Sequence, residues 1–175
     1  MFSGRHSGYG TIYMEQTAVI ALGSNLAGPA EQIRKALLDL DAHPNIRVLK
    51  TSSFYQTAPV GYTGQPDFVN AVCIVETDLN AARLLAALHT IEAQAGRERT
   101  FRNAPRTLDL DIIDYAHCRS DDPALTLPHP RAAERSFVMV PLAEIAPDFE
   151  LGGLGKAAEI AAGLEQGGIE KLPKE

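Results

Sequence analysis

Six segments of the chain have, in order, the patterns of a strand, a helix, two strands, a second helix and a fourth strand. This order predicts an α+β protein of the split βαββαβ type, the ferredoxin-like sandwich, in which two helices pack on one face of an antiparallel four-stranded sheet. The length agrees with a single unit, because 175 residues with 45% hydrophobic residues suit one domain with one core.

Residues 15–175 are predicted to form that domain, with extra elements after the fourth strand. Residues 1–14 are rich in Gly, Ser and Tyr and are predicted to be a disordered extension. Met14 is either a natural start or the join to an added leader, and the sequence is compatible with both.

The first strand and the first helix have clear boundaries. Thr17 to Leu22 is an apolar run with β-branched residues, which predicts a buried strand that stops at Gly23-Ser24-Asn25. Pro29 suits the first position of a helix, and apolar residues recur at helical spacing until His43-Pro44-Asn45 ends the pattern. The helix is therefore expected to cover one face of the sheet.

Two more strands and a second helix follow. Ile46 to Tyr55 and Phe68 to Thr77 are rich in β-branched and aromatic residues, which favours strands. The loop Thr57 to Pro66 is dense in Gly and Pro and longer than a hairpin needs, so a binding loop and a solvated connector both agree with it. Asn80 is the predicted N-cap of a helix that ends at Gly96.

Smaller elements are predicted beyond the fourth strand. An acidic turn at Ser120 to Pro123 precedes Arg131 to Arg135, which is predicted to be a helical turn. Phe137 to Leu142 is predicted to be an apolar segment broken by Pro141, since proline interrupts regular hydrogen bonding. Lys156 to Leu164 is predicted to be a short helix.

The fourth strand, Leu108 to Tyr115, has the pattern with the most chemical content. Side chains alternate between the two faces of a strand, so the leucines fall on one side while Asp109 and Asp111 share the other. Two carboxylates about 6.6 Å apart along a strand repel each other unless a cation lies between them. Mg²⁺ suits such a pair, because it takes one or two carboxylates and leaves other positions to water and phosphate. A half-buried strand with a wet outer face has the same pattern.

The charge distribution favours a small anionic ligand. The net charge of −6 argues against a broad nucleic-acid surface. Four basic residues nevertheless lie within ten positions, at Arg97, Arg99, Arg102 and Arg106. Such a loop suits a nucleotide phosphate tail, since the guanidinium fork matches phosphate geometry. The chain has no Gly-x-x-x-x-Gly-Lys spacing, which excludes a P-loop enzyme as far as motifs can.

The cysteines and the hydropathy favour a cytoplasmic protein. Cys73 and Cys118 fit free thiols better than a disulfide scaffold, and neither has the spacing of a metal site. No apolar run approaches the roughly 18 residues that span a membrane. Residues 1–14 also lack the apolar centre of a signal peptide.

His129 lies between two prolines that stiffen its loop. A lone histidine in a loop is more often a surface or capping residue than a functional one. Together with the carboxylate pair, the arginines and the rings of Phe68 and Phe137, it completes what phosphoryl-type transfer requires. A metal neutralises phosphate oxygens, arginines hold developing charge, and flat rings hold a planar substrate.

Several short motifs occur in a characteristic order and spacing. They are Ala21 to Leu26, Ser53 to Tyr55, Gln65 to Asn70, Pro105 to Asp111, Pro128-His129 and Arg135 to Phe137. Over about residues 17 to 150 they closely resemble the hydroxymethyldihydropterin pyrophosphokinases of folate biosynthesis. The resemblance implies transfer of pyrophosphate from ATP to the hydroxymethyl group of 6-hydroxymethyl-7,8-dihydropterin, with release of AMP and with two Mg²⁺ ions.

The resemblance also assigns residues. Asp109 and Asp111 would be the metal ligands, and the catalytic set would be these two with Arg97 and Arg106. The ATP-binding residues would be His89, Arg97, Arg99, Arg102, Arg106, Ile112, Thr126, His129 and Arg135. The pterin would be bound by Thr57, Val60, Phe68, Asn70, Asp109 and Phe137. The two phenylalanines would sandwich its ring and Asn70 would bind its edge. A monomer without nucleic-acid or membrane partners is expected.

Three departures from the family pattern bear on affinity. Asn103-Ala104 stands where many members have Trp-Gly, so one ring contact over the site is absent. Phe68 stands where Tyr is common, which keeps stacking and drops a hydroxyl. Pro130 replaces a frequent aromatic residue after the histidine. None of them removes a metal ligand or a phosphate-binding arginine.

Two other classes of protein remain compatible with parts of the pattern. A non-enzymatic ferredoxin-like binding module would explain the fold but not the combination of carboxylates and arginines. Another Mg²⁺-dependent nucleotide enzyme, a hydrolase or an ordinary kinase, would explain that combination. The product separates them, since a kinase releases ADP, the pyrophosphokinase releases AMP and a binding module releases neither.

Overall fold

The computed structural model of the protein describes residues 15–25, 28–57, 67–96 and 108–173. Its helices are α1 (Pro29–Ala42), α2 (Ala81–Gln94), α3 (Ser136–Ile145) and α4 (Ala157–Ala162), with a 3₁₀ turn at Ala132–Glu134. Its strands are β1 (Gln16–Ser24), β2 (Ile46–Thr51), β3 (Tyr55–Thr57), β4 (Phe68–Thr77), β5 (Asp109–Tyr115), β6 (Ser120–Asp122), β7 (Leu125–Leu127) and β8 (Ile169–Lys171). The protein is therefore α+β, as the sequence predicts.

The main sheet is antiparallel. Its strand order is β5-β1-β4-β3-β8, and β2 pairs with β4 beside β3. The predicted strand 46–55 is therefore two strands that share one edge of β4. The break falls at Ser52, whose hydroxyl accepts the Val72 N–H at 2.9 Å in place of a backbone carbonyl. A side chain thus replaces part of the backbone ladder there.

One face of the sheet is covered by α1 and α2. The helices bury the residues spaced for that face, Ile33 and Leu40 on α1 and Leu84 and Leu88 on α2, each 0% exposed. Asn80 caps α2 as predicted, its side chain accepting the Arg83 N–H at 2.8 Å. These helices and the alternate apolar residues of β1, β4 and β5 form the first core cluster.

The opposite face carries α3 and α4 at one end. Val138, Met139 and Leu142 of α3 pack in a second cluster with Val72 and Ile113 of the sheet. The predicted break at Pro141 is wrong, because α3 runs through that residue. Proline forfeits one backbone bond in a helix, and here the burial of the surrounding apolar side chains outweighs that loss.

Three short strands extend the predicted set. The segment predicted as an acidic turn is mostly β6, which forms a two-stranded sheet with β7. β8 adds to the main sheet by pairing with β3. The short helix predicted for Lys156 to Leu164 is confirmed as α4. Within the described ranges, no helix has the length and apolarity needed to cross a membrane.

Candidate active site

The face of the sheet covered by α1 and α2 is the first face, and the face that carries α3 and α4 is the second. Polar side chains from two strands lie close together on the second face, where β1 ends. Gly23 of β1 lies directly opposite Asn70 of β4 on one side and Asp109 of β5 on the other. In the next row along the sheet, Ala21 lies opposite Asp111. Because directly paired residues point to the same face, Asn70, Asp109 and Asp111 border a central strand that has only small side chains there.

Gly23 makes room for the Asn70 amide. A Cβ atom at position 23 would lie 2.9 Å from Asn70 Nδ2, which is closer than real Cβ contacts allow. The backbone of Gly23 is ordinary extended strand, so space and not a positive φ requires glycine here. The amide therefore extends from β4 over β1 toward the two carboxylates.

Thr57 fixes which end of the Asn70 amide is exposed to the site. The Thr57 hydroxyl donates to Asn70 Oδ1 at 2.9 Å, and both side chains are buried, at 8% and 9% exposure. This bond occupies one lone pair of the carbonyl oxygen and directs Nδ2 toward Gly23. The arrangement presents an N–H donor to a ligand bound over the end of β1.

The predicted alternation along β5 is confirmed at the carboxylates. Leu108, Leu110 and Ile112 are buried in the first core cluster, whereas Asp109 and Asp111 are half-buried on the opposite face. The two carboxylates, which lie beside the small residues Gly23 and Ala21, suit a hard cation that keeps water and phosphate ligands. Among the described residues no group of three or more His, Cys, Asp or Glu is placed to hold a metal.

His129 is attached to β5 at an irregularity of the strand. The register between β1 and β5 shifts at Ile113, which has no opposite residue. The Ile113 carbonyl instead accepts the His129 N–H at 2.8 Å. Since the imidazole also lies near Asp109, the bulge brings the His129 loop to the carboxylate pair.

The surroundings of the His129 ring favour its neutral form. Burial lowers its pKa, the positive charges of Arg135 and Arg131 lower it further, and Asp109 offsets part of the effect. Nδ1 accepts the Arg131 N–H at 3.2 Å. The ring proton therefore resides on Nε2, which is available as a donor.

Two of the predicted residues, Arg135 and Phe137, lie at the start of α3, and a third, Phe68, lies at the start of β4. Arg135 precedes the helix, and its guanidinium carbon lies 5.5 Å from the centroid of the Phe137 ring. Phe68 begins β4 and, being two residues before Asn70, points to the same face of the sheet. The two predicted pterin-stacking rings therefore belong to the second face, which also carries the carboxylates.

The structure does not bring the other predicted residues to the carboxylates, or they lie outside the described ranges. Ile112 is buried on the first face of β5, Thr126 lies in β7, and His89 is exposed on α2. The remaining predictions, which lie outside the described residues, are Val60, Arg97, Arg99, Arg102 and Arg106.

Glu144 of α3 is a polar residue near the site that the sequence patterns did not indicate. Its carboxylate accepts the Ser53 N–H at 2.9 Å, the Ser53 hydroxyl at 2.7 Å and the Tyr55 hydroxyl at 2.8 Å. Burial favours a higher pKa for Glu144, but these bonds outweigh it and leave the pKa lowered. The motif Ser53 to Tyr55 thus connects the helix of Phe137 to the strand of Thr57. The motif marked one end of this connection in the sequence, and no pattern marked Glu144 itself.

Glu92 of α2 was also missed. Its side chain is 2% exposed and accepts the Leu110 N–H at 2.8 Å. The available signal was its spacing, since a charged residue four positions after Leu88 lies on the apolar stripe of the helix.

Comparison with known proteins agrees with the family that the sequence motifs indicate. A model of the 7,8-dihydro-6-hydroxymethylpterin-pyrophosphokinase family matches residues 19–147. A 2-amino-4-hydroxy-6-hydroxymethyldihydropteridine pyrophosphokinase of Pseudomonas aeruginosa is 43% identical over 160 residues, which cover 91% of this chain and 99% of that protein. An enzyme of the same name from Haemophilus influenzae is 47% identical over 135 residues, covering 77% and 84%.

A solved structure supports the fold. The crystal structure of Plasmodium falciparum HPPK-DHPS wild type with pteroate matches with a TM-score of 0.67 at 14% identity, over 85% of this chain and 42% of that longer chain. At such low identity the likeness concerns the fold alone. The match of the family model over most of the chain and the identities to the bacterial enzymes show that the chain belongs to the 7,8-dihydro-6-hydroxymethylpterin-pyrophosphokinase family.

Proposed function

We propose that the protein transfers pyrophosphate from ATP to the hydroxymethyl group of 6-hydroxymethyl-7,8-dihydropterin, giving the pterin diphosphate and AMP in folate biosynthesis. The carrying observation is that Asn70, Asp109 and Asp111 flank Gly23 and Ala21 of β1 on one face of the sheet. The amide can donate a hydrogen bond to the edge of a heterocycle, and the two carboxylates can bind a metal that also binds phosphate. These groups lie on the same face of the sheet. Family membership specifies which reaction this geometry serves.

Asp109 and Asp111 are the proposed holders of two Mg²⁺ ions. When bound there, Mg²⁺ would neutralise phosphate oxygens and polarise the phosphorus under attack. The neutral His129 ring would add a donor from Nε2 to a phosphate oxygen, and Arg135 a fixed positive charge. Arg97, Arg99, Arg102 and Arg106 remain proposed phosphate-binding residues from their place in the sequence.

The pterin is proposed to lie between Phe68 and Phe137, with its edge on Asn70. The orientation of the amide supports this assignment, because Thr57 holds Oδ1 and leaves Nδ2 toward the site. An acceptor on the heterocycle is therefore the complementary group. The backbone of Thr57 and Val60 is proposed to contact the pterin as well.

The substrate hydroxyl is the proposed nucleophile and the β-phosphorus of ATP the electrophile, so no covalent protein intermediate is required. The hydroxyl proton passes to solvent water as the new O–P bond forms. The bond between the β-phosphorus and the oxygen bridging to the α-phosphate breaks, and AMP departs with its electron pair. Positioning and charge neutralisation carry most of the acceleration. Asp111 is close enough in this arrangement to assist deprotonation of the substrate hydroxyl, but a carboxylate that binds a metal is a poor base.

Finer features of the protein are proposed on the same basis. The sheet order β5-β1-β4, with β2 and β3 together on the outer edge of β4, supports the ferredoxin-like assignment. Packing of α4 in the second cluster and pairing of β8 with β3 support one domain over residues 15–175. A monomer located in the cytoplasm remains the prediction from the sequence.

The test is an AMP-release assay with hydroxymethyldihydropterin and Mg²⁺-ATP. AMP formed only when the reduced pterin is present, in equal amount to the pterin diphosphate, is the expected result. ADP formation would identify an ordinary kinase. Nucleotide and pterin binding without turnover would identify a binding module.

A further inference from the structure

A buried carboxylate that the proposed reaction leaves unused holds the strand of the metal ligands. Glu92 is 2% exposed and lies near the end of α2, on the side that packs against the sheet. Glutamate is almost never this buried unless it is paired or hydrogen-bonded. One of its bonds is from the Leu110 N–H to Oε2, at 2.8 Å.

The position of this bond gives it a particular effect. Among the described strands, β5 pairs with β1 alone, so its outer edge presents backbone groups that no other described strand satisfies. Leu110 lies between the two aspartates, and its N–H belongs to the peptide group that follows Asp109. The carboxylate therefore restrains the backbone between the two ligands from the side opposite their side chains.

Burying a carboxylate at position 92 costs folding free energy. Removing a charged group from water carries a penalty, and a buried ionic group is often replaced by apolar residues without loss of stability. A charge-assisted hydrogen bond is nevertheless roughly twice as strong as a neutral one. A carboxylate at position 92 therefore holds the Leu110 N–H more tightly than a neutral acceptor would.

We propose that Glu92 is a positioning residue for the metal-binding pair, acting through the Leu110 N–H to hold Asp109 and Asp111 at the spacing that binds Mg²⁺-ATP. This inference rests on the proposed function for the identity of the ligands. Partners that hold the backbone or side chains of metal ligands commonly change metal affinity or activity by about 10–100-fold when they are removed.

Three substitutions separate the bond from the charge. Glu92→Gln keeps the length of the side chain and an acceptor oxygen but removes the charge. Glu92→Asp keeps the charge but withdraws it by one methylene from the Leu110 N–H. Glu92→Leu removes both. If the leucine variant fails to fold, the glutamine and aspartate variants still decide the question.

Two measurements do not require turnover. Hydrogen exchange of the Leu110 amide, followed by NMR, reports the bond directly. Titration of Mn²⁺ in the presence of α,β-methylene-ATP, followed by electron paramagnetic resonance, reports metal binding. We expect Glu92→Gln to retain most of the amide protection and to lose less Mn²⁺ affinity than Glu92→Asp, because a neutral oxygen still accepts the Leu110 N–H, although more weakly. We expect Glu92→Asp to lose protection and to bind Mn²⁺ roughly 10-fold more weakly.

Kinetics provide the third measurement. In Glu92→Asp we expect kcat to fall roughly 10-fold with little change in the pterin KM, because all the proposed pterin-binding residues except Asp109 lie outside β5. Thr77→Val is a matched control. It removes buried bonds to Asn45 and Leu79 at the opposite end of β4, so it should lower stability and leave Mn²⁺ binding unchanged.

Three outcomes would overturn the inference. The first is normal Mn²⁺ binding in Glu92→Asp despite rapid exchange at Leu110. The second is a Glu92→Gln variant that keeps amide protection and loses Mn²⁺ as strongly as Glu92→Asp, which would assign the effect to charge. The third is an equal loss of Mn²⁺ affinity in Thr77→Val. If wild-type protein releases no AMP but its Mn²⁺ affinity still depends on the Leu110 bond, the proposed function fails and the positioning role stands.

Discussion

At the scale of single residues, the proposed pterin site depends on the orientation of one amide. Thr57→Val should remove the bond that holds Asn70 Oδ1 while keeping the shape of the side chain. We expect pterin binding to weaken roughly fivefold, the equivalent of a neutral hydrogen bond worth about 1 kcal/mol. Calorimetry with the pterin and an inert ATP analogue measures it.

Thr57→Ser is the control for that change, because it keeps the hydroxyl and loses only a methyl group. Its pterin affinity should stay near the wild-type value. Equal weakening in the serine and valine variants would show that packing of Thr57, and not its hydroxyl, determines the affinity.

His129 gives a prediction about protonation. Its pKa is lowered by burial and by Arg135, so in the metal-free protein the imidazole should titrate below the ordinary value of 6.5. At pH 7 the neutral ring should carry its proton on Nε2. The native state then binds fewer protons than the unfolded state. The stability linked to this group is complete above pH 6.5 and is lost as the pH falls through the native pKa.

Nitrogen-15 NMR of the imidazole tests both statements in one titration. Addition of ATP should move the midpoint upward, because phosphate charge favours the protonated ring. A ring that is already protonated at pH 7 in the free protein would contradict the assignment of Nε2 as a neutral donor.

The residues of the site differ in how far the sequence predicts them. Asp109 and Asp111 were predictable because a period of two leaves both on one face, and the structure confirms that face. The contacts that Gly23 and the Thr57 hydroxyl make with Asn70 were not, since they arise between strands whose register the sequence does not specify. The arginines lie outside the described residues and stay predictions.

At the scale of elements, substitutions on the second face of β5 should lower activity and leave stability nearly unchanged. Asp109→Ala and Asp111→Ala should each lower kcat at least about 100-fold, since a bound metal supplies several kcal/mol of charge stabilisation. Folding should change by less than about 1 kcal/mol, because both side chains are half-buried and lie outside the first core cluster. Assays at saturating Mg²⁺-ATP and urea unfolding measure the two effects.

Asp121→Ala is the control for this pair, because Asp121 is an exposed carboxylate on β6. It should leave both activity and stability unchanged. Near-normal activity in either β5 variant would rule out its residue as a metal ligand.

Elements were predictable where one local pattern determined them. The apolar period of α1, the Asn80 cap of α2 and the β-branched run of β4 all gave the observed helices and strands. The local rule failed in α3, where burial of neighbouring side chains outweighs the cost of Pro141. It also failed at Ser52, where a side chain replaces a backbone acceptor.

At the scale of the whole molecule, the sheet has two faces with different tasks. The first face is covered by α1 and α2 and is apolar along its length. The second face is covered by α3 and α4 around Val19 and Ile113, and it carries Asn70 and the carboxylates beyond them. This division was not visible in the sequence, because the segments that cover the second face come after all the strands of the predicted sandwich.

The apolar part of the second face contains one carboxylate that should make global stability depend on pH. Asp114 is 1% exposed, and its Oδ1 has no hydrogen-bond partner in the part of the chain that the structure describes. Burial raises its pKa, and the bond from the His117 N–H offsets only part of that effect. The native state therefore binds a proton more readily than the unfolded state does.

The sign of the pH dependence follows from this difference. The stability linked to protonated Asp114 is complete below the ordinary pKa of 3.8 and is lost as the pH rises through the higher native pKa. Near pH 7 the buried carboxylate costs stability. Asp114→Asn keeps an acceptor for the His117 N–H and should be more stable than the wild type at pH 7, with the difference shrinking as the pH falls toward 4.

Urea unfolding of both proteins between pH 4 and pH 8 measures that difference directly. Other groups titrate over the same range, His129 among them, but they are common to the two proteins and cancel when one curve is subtracted from the other. Asp121→Asn, an exposed carboxylate exchanged for an amide, should give a flat difference. A flat difference for Asp114→Asn as well would mean that water reaches Oδ1 and that burial in the second cluster costs the carboxylate little.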